Sequence, residues 1–201
     1  MNYEENQAFM RALEAANSFY KEGNFPVPIK SMINDDENVT LLTFSEFSRL
    51  AGVSRSKVSQ IGQSDEAFHF KKGKRSFIVY NSLKSVSRQR FTLAHEYGHI
   101  KLNHVGKSLY DRDKLIGSYS KEEFEADTFA SCLLFPLHKR YEYRNKSSYE
   151  IANKFSISFS AVSVCMRILD WHLESGLENY LSHYEHRKLD SYINFLRECS
   201  F

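Results

Sequence analysis

Five consecutive residues near the middle of the chain carry the pattern with the clearest chemistry: His95-Glu96-Tyr97-Gly98-His99, an HExxH. On a helix, positions i and i+4 share a face one turn apart, so His95 and His99 aim two imidazoles at one point. Glu96 sits about 100° further round, close enough to reach a water beside that point. Two neutral imidazoles suit zinc, and a neighbouring carboxylate can accept the proton of a water that the metal has made acidic. The bland alternative is a pair of histidines on an amphipathic helix. The surroundings argue against it. Phe91, Leu93, Ala94, Ile100 and Leu102 make the segment apolar around much of its girth, which predicts burial. Two histidines and a glutamate on a buried helix need polar partners, and a metal ion is the simplest. Gly98 weakens a helix, which implies that another group approaches the backbone there.

Catalytic zinc takes three protein ligands, so a third is needed. The HExxHxxGxxH pattern would require glycine at position 102 and histidine at 105, where the chain has Leu102 and Val105. His104 lies about 140° from His99 around a continued helix and reads as a helix-end residue. The better source is Lys121-Glu-Glu-Phe-Glu-Ala-Asp-Thr-Phe-Ala-Ser-Cys-Leu-Leu-Phe-Pro136, a second amphipathic helix stopped by its proline. Glu123 and Asp127 are i and i+4, with small Ala130 following on the same face. Glu123 would be the third ligand, and Asp127 would accept the free ring N–H of a ligand histidine and fix its tautomer. Glu122, on a neighbouring face, and Glu125, pointing roughly opposite to Glu123, are the rivals. An acidic first turn that complements the helix dipole accounts for one or two of these three acids.

Taken jointly, Arg88-Gln-Arg-Phe-Thr-Leu-Ala-His-Glu-Tyr-Gly-His-Ile-Lys-Leu-Asn-His104 and Glu122-Glu-Phe-Glu-Ala-Asp-Thr-Phe-Ala-Ser-Cys-Leu-Leu-Phe-Pro136 resemble the ImmA/IrrE family of zinc metallopeptidases. The resemblance takes in the strand Ser76-Phe-Ile-Val-Tyr-Asn81 and, more loosely, residues 10 to 170. It implies a cytoplasmic, gluzincin-like peptidase with one Zn2+ per chain. Its members cleave or inactivate a helix-turn-helix repressor, often one encoded beside them on a phage or integrative element.

The rest of the chain must position these residues. At 201 residues, 42% hydrophobic and 26% charged, it is long enough for a sizeable core and ordinary for a soluble globular protein. A net charge of +2 exerts no strong pull on nucleic acid or membrane. Cys132, Cys165 and Cys199 are scattered and form no CxxC pair, and Cys132 reads as a small buried residue. The start, Met-Asn-Tyr-Glu-Glu, has neither a basic n-region nor an apolar h-region, and no run approaches membrane-spanning length, so the cytoplasm is expected.

The periodicity predicts a helix from Glu4 to Tyr20 closed by Gly23, a short helix around Ile29–Ile33, and a strand from Val39 to Thr43. Ser45 to Ile61 resembles a helix-turn-helix but lacks a third supporting helix, and is expected to pack on the sheet. Ala67–Lys71 and Arg75–Asn81, joined by Lys72-Gly73-Lys74, form a hairpin. In zincin-like folds such a strand is an edge beside the HExxH helix. Phe77, Ile78, Val79 and Tyr80 are therefore expected to offer main-chain hydrogen bonds to an extended peptide substrate. Arg88 and Arg90 read as a solvated helix start, or as partners for nearby acids. Lys107 to Lys121 joins the two metal helices and is expected to rim the cleft. Residues 148–169 again look like a helix-turn-helix, with Ser158 or Ser160 as N-cap, but its second helix carries one basic residue, Arg167, which suits packing better than groove reading. His172, His183 and His186, with Tyr180, Tyr184 and Tyr192, stand in a helical tail as possible oxyanion stabilisers.

The fold expected is α+β and mostly helical: a zincin-like core over residues 1–136 with a small antiparallel sheet, and a helical extension over 137–201 packing on it. The expected chemistry is zinc-dependent hydrolysis of a peptide bond in a protein substrate, with His95, His99 and Glu123 holding the metal, Glu96 moving the proton and Asp127 orienting a ligand. The alternative is a non-catalytic zinc-containing regulator that binds a repressor or DNA. Glu96 weighs against it, since a structural site needs no such acid.

Overall fold

Serines and one threonine start most of the helices. In this computed structural model, which describes residues 3–19, 25–104, 120–180 and 189–198, the side chains of Ser54, Ser85, Ser120 and Ser158 each accept a backbone N–H three residues on. Thr43 and Ser147 complete reciprocal capping boxes with Glu46 and Glu150. The elements run α1 (Tyr3–Asn17), α2 (Ile29–Asn34), β1 (Val39–Thr43), α3 (Phe44–Ala51), α4 (Arg55–Gly62), β2 (Ala67–Lys72), β3 (Arg75–Tyr80), α5 (Val86–Lys101), α6 (Lys121–Leu134), α7 (Leu137–Glu142), α8 (Ser148–Phe155), α9 (Phe159–Glu174), a 3-10 turn (Leu177–Tyr180) and α10 (Leu189–Glu198). The architecture is α+β and mostly helical. The helix closure expected at Gly23 lies outside the described residues.

The sheet has the order β1-β3-β2. β2 and β3 form the antiparallel hairpin, with Ala67 opposite Tyr80 and Lys72 opposite Arg75, turning through Gly73 at φ 63. β1 pairs with β3 in parallel, Val39 opposite Ser76. The sheet is therefore mixed, because the α3–α4 connection carries the chain across before the hairpin begins. This order corrects the expectation for Phe77, Ile78, Val79 and Tyr80. β3 is the central strand, its main chain is already paired on both sides, and it has no edge to offer a substrate. The edges are β1 and β2, and it is β2 that lines the cleft through Ala67 and His69.

Strand alternation splits the sheet into two faces. Ala67, Ile78 and Tyr80 join the main core beneath α5, while Phe68 and Val79 pack with Phe44 and Val58 beneath α3 and α4. The segment resembling a helix-turn-helix at 45–61 thus covers the far face of the sheet, and its Arg55 donates to the Asn81 side chain at 2.8 Å. The main core runs on through α5, α6 and α1 to Phe155 and Phe195. Arg90 fastens α5 to the turn before α9 by donating to the carbonyls of Ser156 at 3.1 Å and Phe155 at 3.4 Å, so it is a structural clamp. The second unit of helix-turn-helix appearance buries Ile151, Phe155, Val162 and Cys165 against the core and exposes Tyr149, Phe159 and Val164.

Cys132 and Cys165 are buried free thiols, and burial pushes both pKa values up. His172 is wholly buried, edge-on to Phe9 and Phe195, which makes it part of the core; His183, Tyr184 and His186 lie outside the described residues. Among the described residues, no helix is long and apolar enough to cross a membrane.

Candidate metal centre

The site is made where α5 and α6 approach at Gly98. A Cβ added there would lie 2.9 Å from a ring carbon of Phe129, which occupies the gap from the α6 side. A larger residue on α5 would hold the helices apart, so the sequence expectation of a close approach at this glycine is met. With Gly98 in place, the first turn of α6 lies over the histidine pair. His95 Nε2 is 3.0 Å from His99 Nε2 and 3.3 Å from Glu123 Oε2, and His99 Nε2 is 3.6 Å from Glu123 Oε1. A tetrahedral zinc with ligand bonds near 2.0–2.1 Å has ligand atoms about 3.3 Å apart. The three side chains match that spacing without rearrangement. Among the described residues they are the group of His, Cys, Asp or Glu that can converge on one ion. Glu122 lines the same cleft, and Glu125 turns away from it.

The charge balance of the cluster points the same way. Burial works against a charged His95, yet hydrogen bonds to Asp127 and Glu123 outweigh it and push its pKa up to about 10. Bonds from His95 and His99 hold the Glu123 carboxyl below the usual carboxylate range. Burial lowers the pKa of His99, and the charge on His95 adds to that. The carboxylates around His95 thus favour a positive charge there, which a proton on the imidazole can supply. A divalent cation bound by the same atoms would displace that proton.

Both histidines have partners for their other nitrogens, but of different kinds. His95 Nδ1 meets Asp127 Oδ1 at 2.8 Å, where Asp127 was expected to act. His99 Nδ1 meets His104 Nδ1 at 2.8 Å, and His104 Nε2 meets Glu125 Oε2 at 2.7 Å. His104 thus follows the helix end as read, but it is buried and has partners on both ring nitrogens. The helix stops at Lys101, Asn103 takes a left-handed φ of 54, and His104 folds back beneath His99. A second residue not anticipated is His69 on β2, whose Nδ1 lies 2.6 Å from Glu96 Oε2 and whose ring stacks on His99 at 5.0 Å. Its signal was the alternation of β2, which puts Ala67 and His69 on the face toward the HExxH helix. Burial alone would raise the Glu96 pKa, but His69 and the metal-site histidines bring it below the usual value, so Glu96 stays ionised. Arg88 is paired with Glu66 at 2.6 Å.

These groups open into a cleft of about 390 Å³ that also takes in Ser64 and Arg88. The IrrE N-terminal-like domain, a peptidase family model, matches residues 54–167 of the chain, and this segment contains α5 and α6 with every residue of the cluster. The chain belongs to the ImmA/IrrE family. A protein of Bacillus phage phi105, described as uncharacterized immunity region protein 2, is 34% identical over 69 residues. That match covers 34% of this chain and 44% of the phage protein, so the chain spans under half the length of that relative. For an ImmA/IrrE member, a metallopeptidase type of site is the family property. The α1 helix and β1 lie outside the matched segment.

Proposed function

We propose that this ImmA/IrrE protein is a zinc-dependent endopeptidase that cuts a protein substrate in the cytoplasm. The carrying observation is the convergence of His95 Nε2, His99 Nε2 and the Glu123 carboxylate at tetrahedral spacing, with Glu96 beside them in an open cleft. His95, His99 and Glu123 would hold one Zn2+, with Asp127 fixing His95. Bound there, zinc would supply Lewis-acid chemistry: polarisation of the scissile carbonyl and a water made acidic near neutral pH. Glu96, kept ionised and oriented by His69, takes the proton of the attacking water and returns it to the leaving amine. The edge of β2 supplies the main-chain pairing for an extended peptide, and β3 supports it from behind.

For the substrate we propose a helix-turn-helix repressor of a phage or integrative element. Similarity to a phage protein named for an immunity region supports this reading. Residues 1–136 are taken as the catalytic core and 137–201 as its helical extension.

The test is metal content together with the intact mass of a neighbouring repressor after mixing. Wild type is expected to carry about one zinc and to cut the repressor. Glu96→Gln should keep zinc and lose cleavage, whereas His99→Ala should lose both. Cleavage at the normal rate by Glu96→Gln would refute the mechanism. A repressor bound but left intact by the zinc-loaded wild type would establish a sequestering regulator instead.

A further inference from the structure

We propose that Arg11, Glu125 and His104 form a positioning relay for His99, through which helix α1 sets the metal affinity of the site. The inference rests on the metal-site reading above and extends it to a helix outside the segment that matches the family. Three contacts make the line. His99 Nδ1 meets His104 Nδ1 at 2.8 Å, His104 Nε2 meets Glu125 Oε2 at 2.7 Å, and Arg11 Nη1 meets the same carboxylate oxygen at 2.7 Å. The His104 and Glu125 side chains are 3% and 1% exposed, so solvent replaces neither partner.

Proton placement gives the line one direction. A metal on His99 Nε2 leaves the ring proton on Nδ1, so His99 donates. His104 Nδ1 then accepts, which keeps the His104 proton on Nε2 to be donated to Glu125. The Glu125 carboxylate only accepts, and the Arg11 guanidinium only donates. Arg11 thus supplies the cation that lets a buried carboxylate remain at the far end of the line. Its other nitrogen, Nη2, donates to the Leu102 carbonyl, where α5 ends and the chain turns back toward His104. One side chain from α1 therefore holds both the acceptor of the relay and the turn that places its middle member. His95, by contrast, is oriented directly by Asp127 from α6.

A simple tether between α1 and α6 would use the same Arg11–Glu125 pair, and the experiment separates the two roles. Full-length protein is loaded with zinc in competition with a chromophoric chelator. Cobalt is loaded in parallel, and its visible absorption reports the ligand field. Removing an outer-shell partner typically weakens metal binding about 10–100-fold, which is the loss expected for His104→Ala, with a shifted cobalt spectrum. His104→Gln, whose amide oxygen can accept the His99 proton, should recover much of that loss. Arg11→Met should weaken zinc several-fold in the native background and add nothing to His104→Ala, since both act on one line. Arg11 is half-exposed, so Arg11→Met opens no cavity in the core, and the metal-free melting temperature of each variant reports its folding separately from its zinc affinity.

Unchanged zinc affinity in Arg11→Met and His104→Ala, with only the metal-free melting temperature lowered, would overturn the relay and leave the metal site standing. Additive losses in the double variant would overturn the role of α1. No zinc in wild type would overturn the metal site and the relay together.

Discussion

Replacing Gly98 by alanine tests how the two helices of the proposed metal site are held. The new Cβ would lie 2.9 Å from Phe129 Cδ1, 3.1 Å from Cγ and 3.2 Å from Cβ. Carbon atoms pack comfortably at about 3.5–4.0 Å, so about half an ångström has to be found. A rotation of the ring cannot supply it, because the Phe129 Cβ is itself one of the three atoms. The ring is also wholly buried, edge-on to Tyr97 and Phe19. The backbone of α6 has to move. Overpacking of this kind costs about 1–3 kcal/mol, and the better helix propensity of alanine returns about 1 kcal/mol, so the net loss of stability is about 0–2 kcal/mol. The effect on the site is larger. Glu123 rides on α6, and a half-ångström shift exceeds the roughly 0.2 Å tolerance of a metal–ligand distance. Gly98→Ala should therefore unfold in urea near the wild-type midpoint when metal-free, yet bind zinc at least tenfold more weakly, since outer-shell disturbances already cost about that much. Phe129→Leu in the same background should restore part of the binding by vacating the space. A Gly98→Ala protein about 1 kcal/mol more stable than wild type with unchanged zinc affinity would show that helix propensity dominates and that the close approach is not needed.

Other variants separate the remaining roles. Elemental mass spectrometry should find zinc lost in Glu123→Ala, retained in Glu122→Ala and reduced in Glu125→Ala; full zinc in all three would place the third ligand elsewhere. His69→Phe should keep zinc but lower turnover about 10–100-fold, because Glu96 loses the group that orients it; an unchanged kcat would remove His69 from the mechanism. His172 is neutral in the folded state because burial lowers its pKa from 6.5 to about 3, whereas in the unfolded chain it protonates near 6.5. The unfolded state thus binds the extra proton as pH falls, and stability present above 6.5 is lost progressively down toward about 3. His172→Phe should leave stability near pH 8 little changed and reduce the acid loss, measured by urea unfolding at both ends; parallel curves would refute it.

Features that repeat within one turn of chain were legible directly. The i, i+4 spacing put His95 and His99 on one face, Glu123 and Asp127 on another, and the Ser158 cap, the Gly73 hairpin and the Pro136 stop marked where elements begin and end. The mostly helical α+β class followed from the same local periods. The close packing at Gly98 was also readable, since a glycine inside a helix asks for a neighbour. The limits appear where a local rule was carried past the element that supports it. The angular argument that separated His104 from His99 assumes a continued helix, and the helix ends at Lys101 with Asn103 left-handed. Glu125 points away from Glu123 as the 3.6-residue period requires, but only the packing of α1 and α5 against that side of α6 shows that it meets His104 and Arg11 rather than water. Arg11 is 114 residues distant from its partner, beyond any periodicity. The strand Phe77–Tyr80 reads as β whether it is central or at an edge, because alternation records which faces are buried and says nothing of which neighbours pair. The sequence by itself determined which imidazoles and carboxylates were available to the site and the elements that carry them. Tertiary structure decided which carboxylate lies over the histidines, which strand is the edge and what stands behind His99, because each of these depends on contacts between elements remote in the chain.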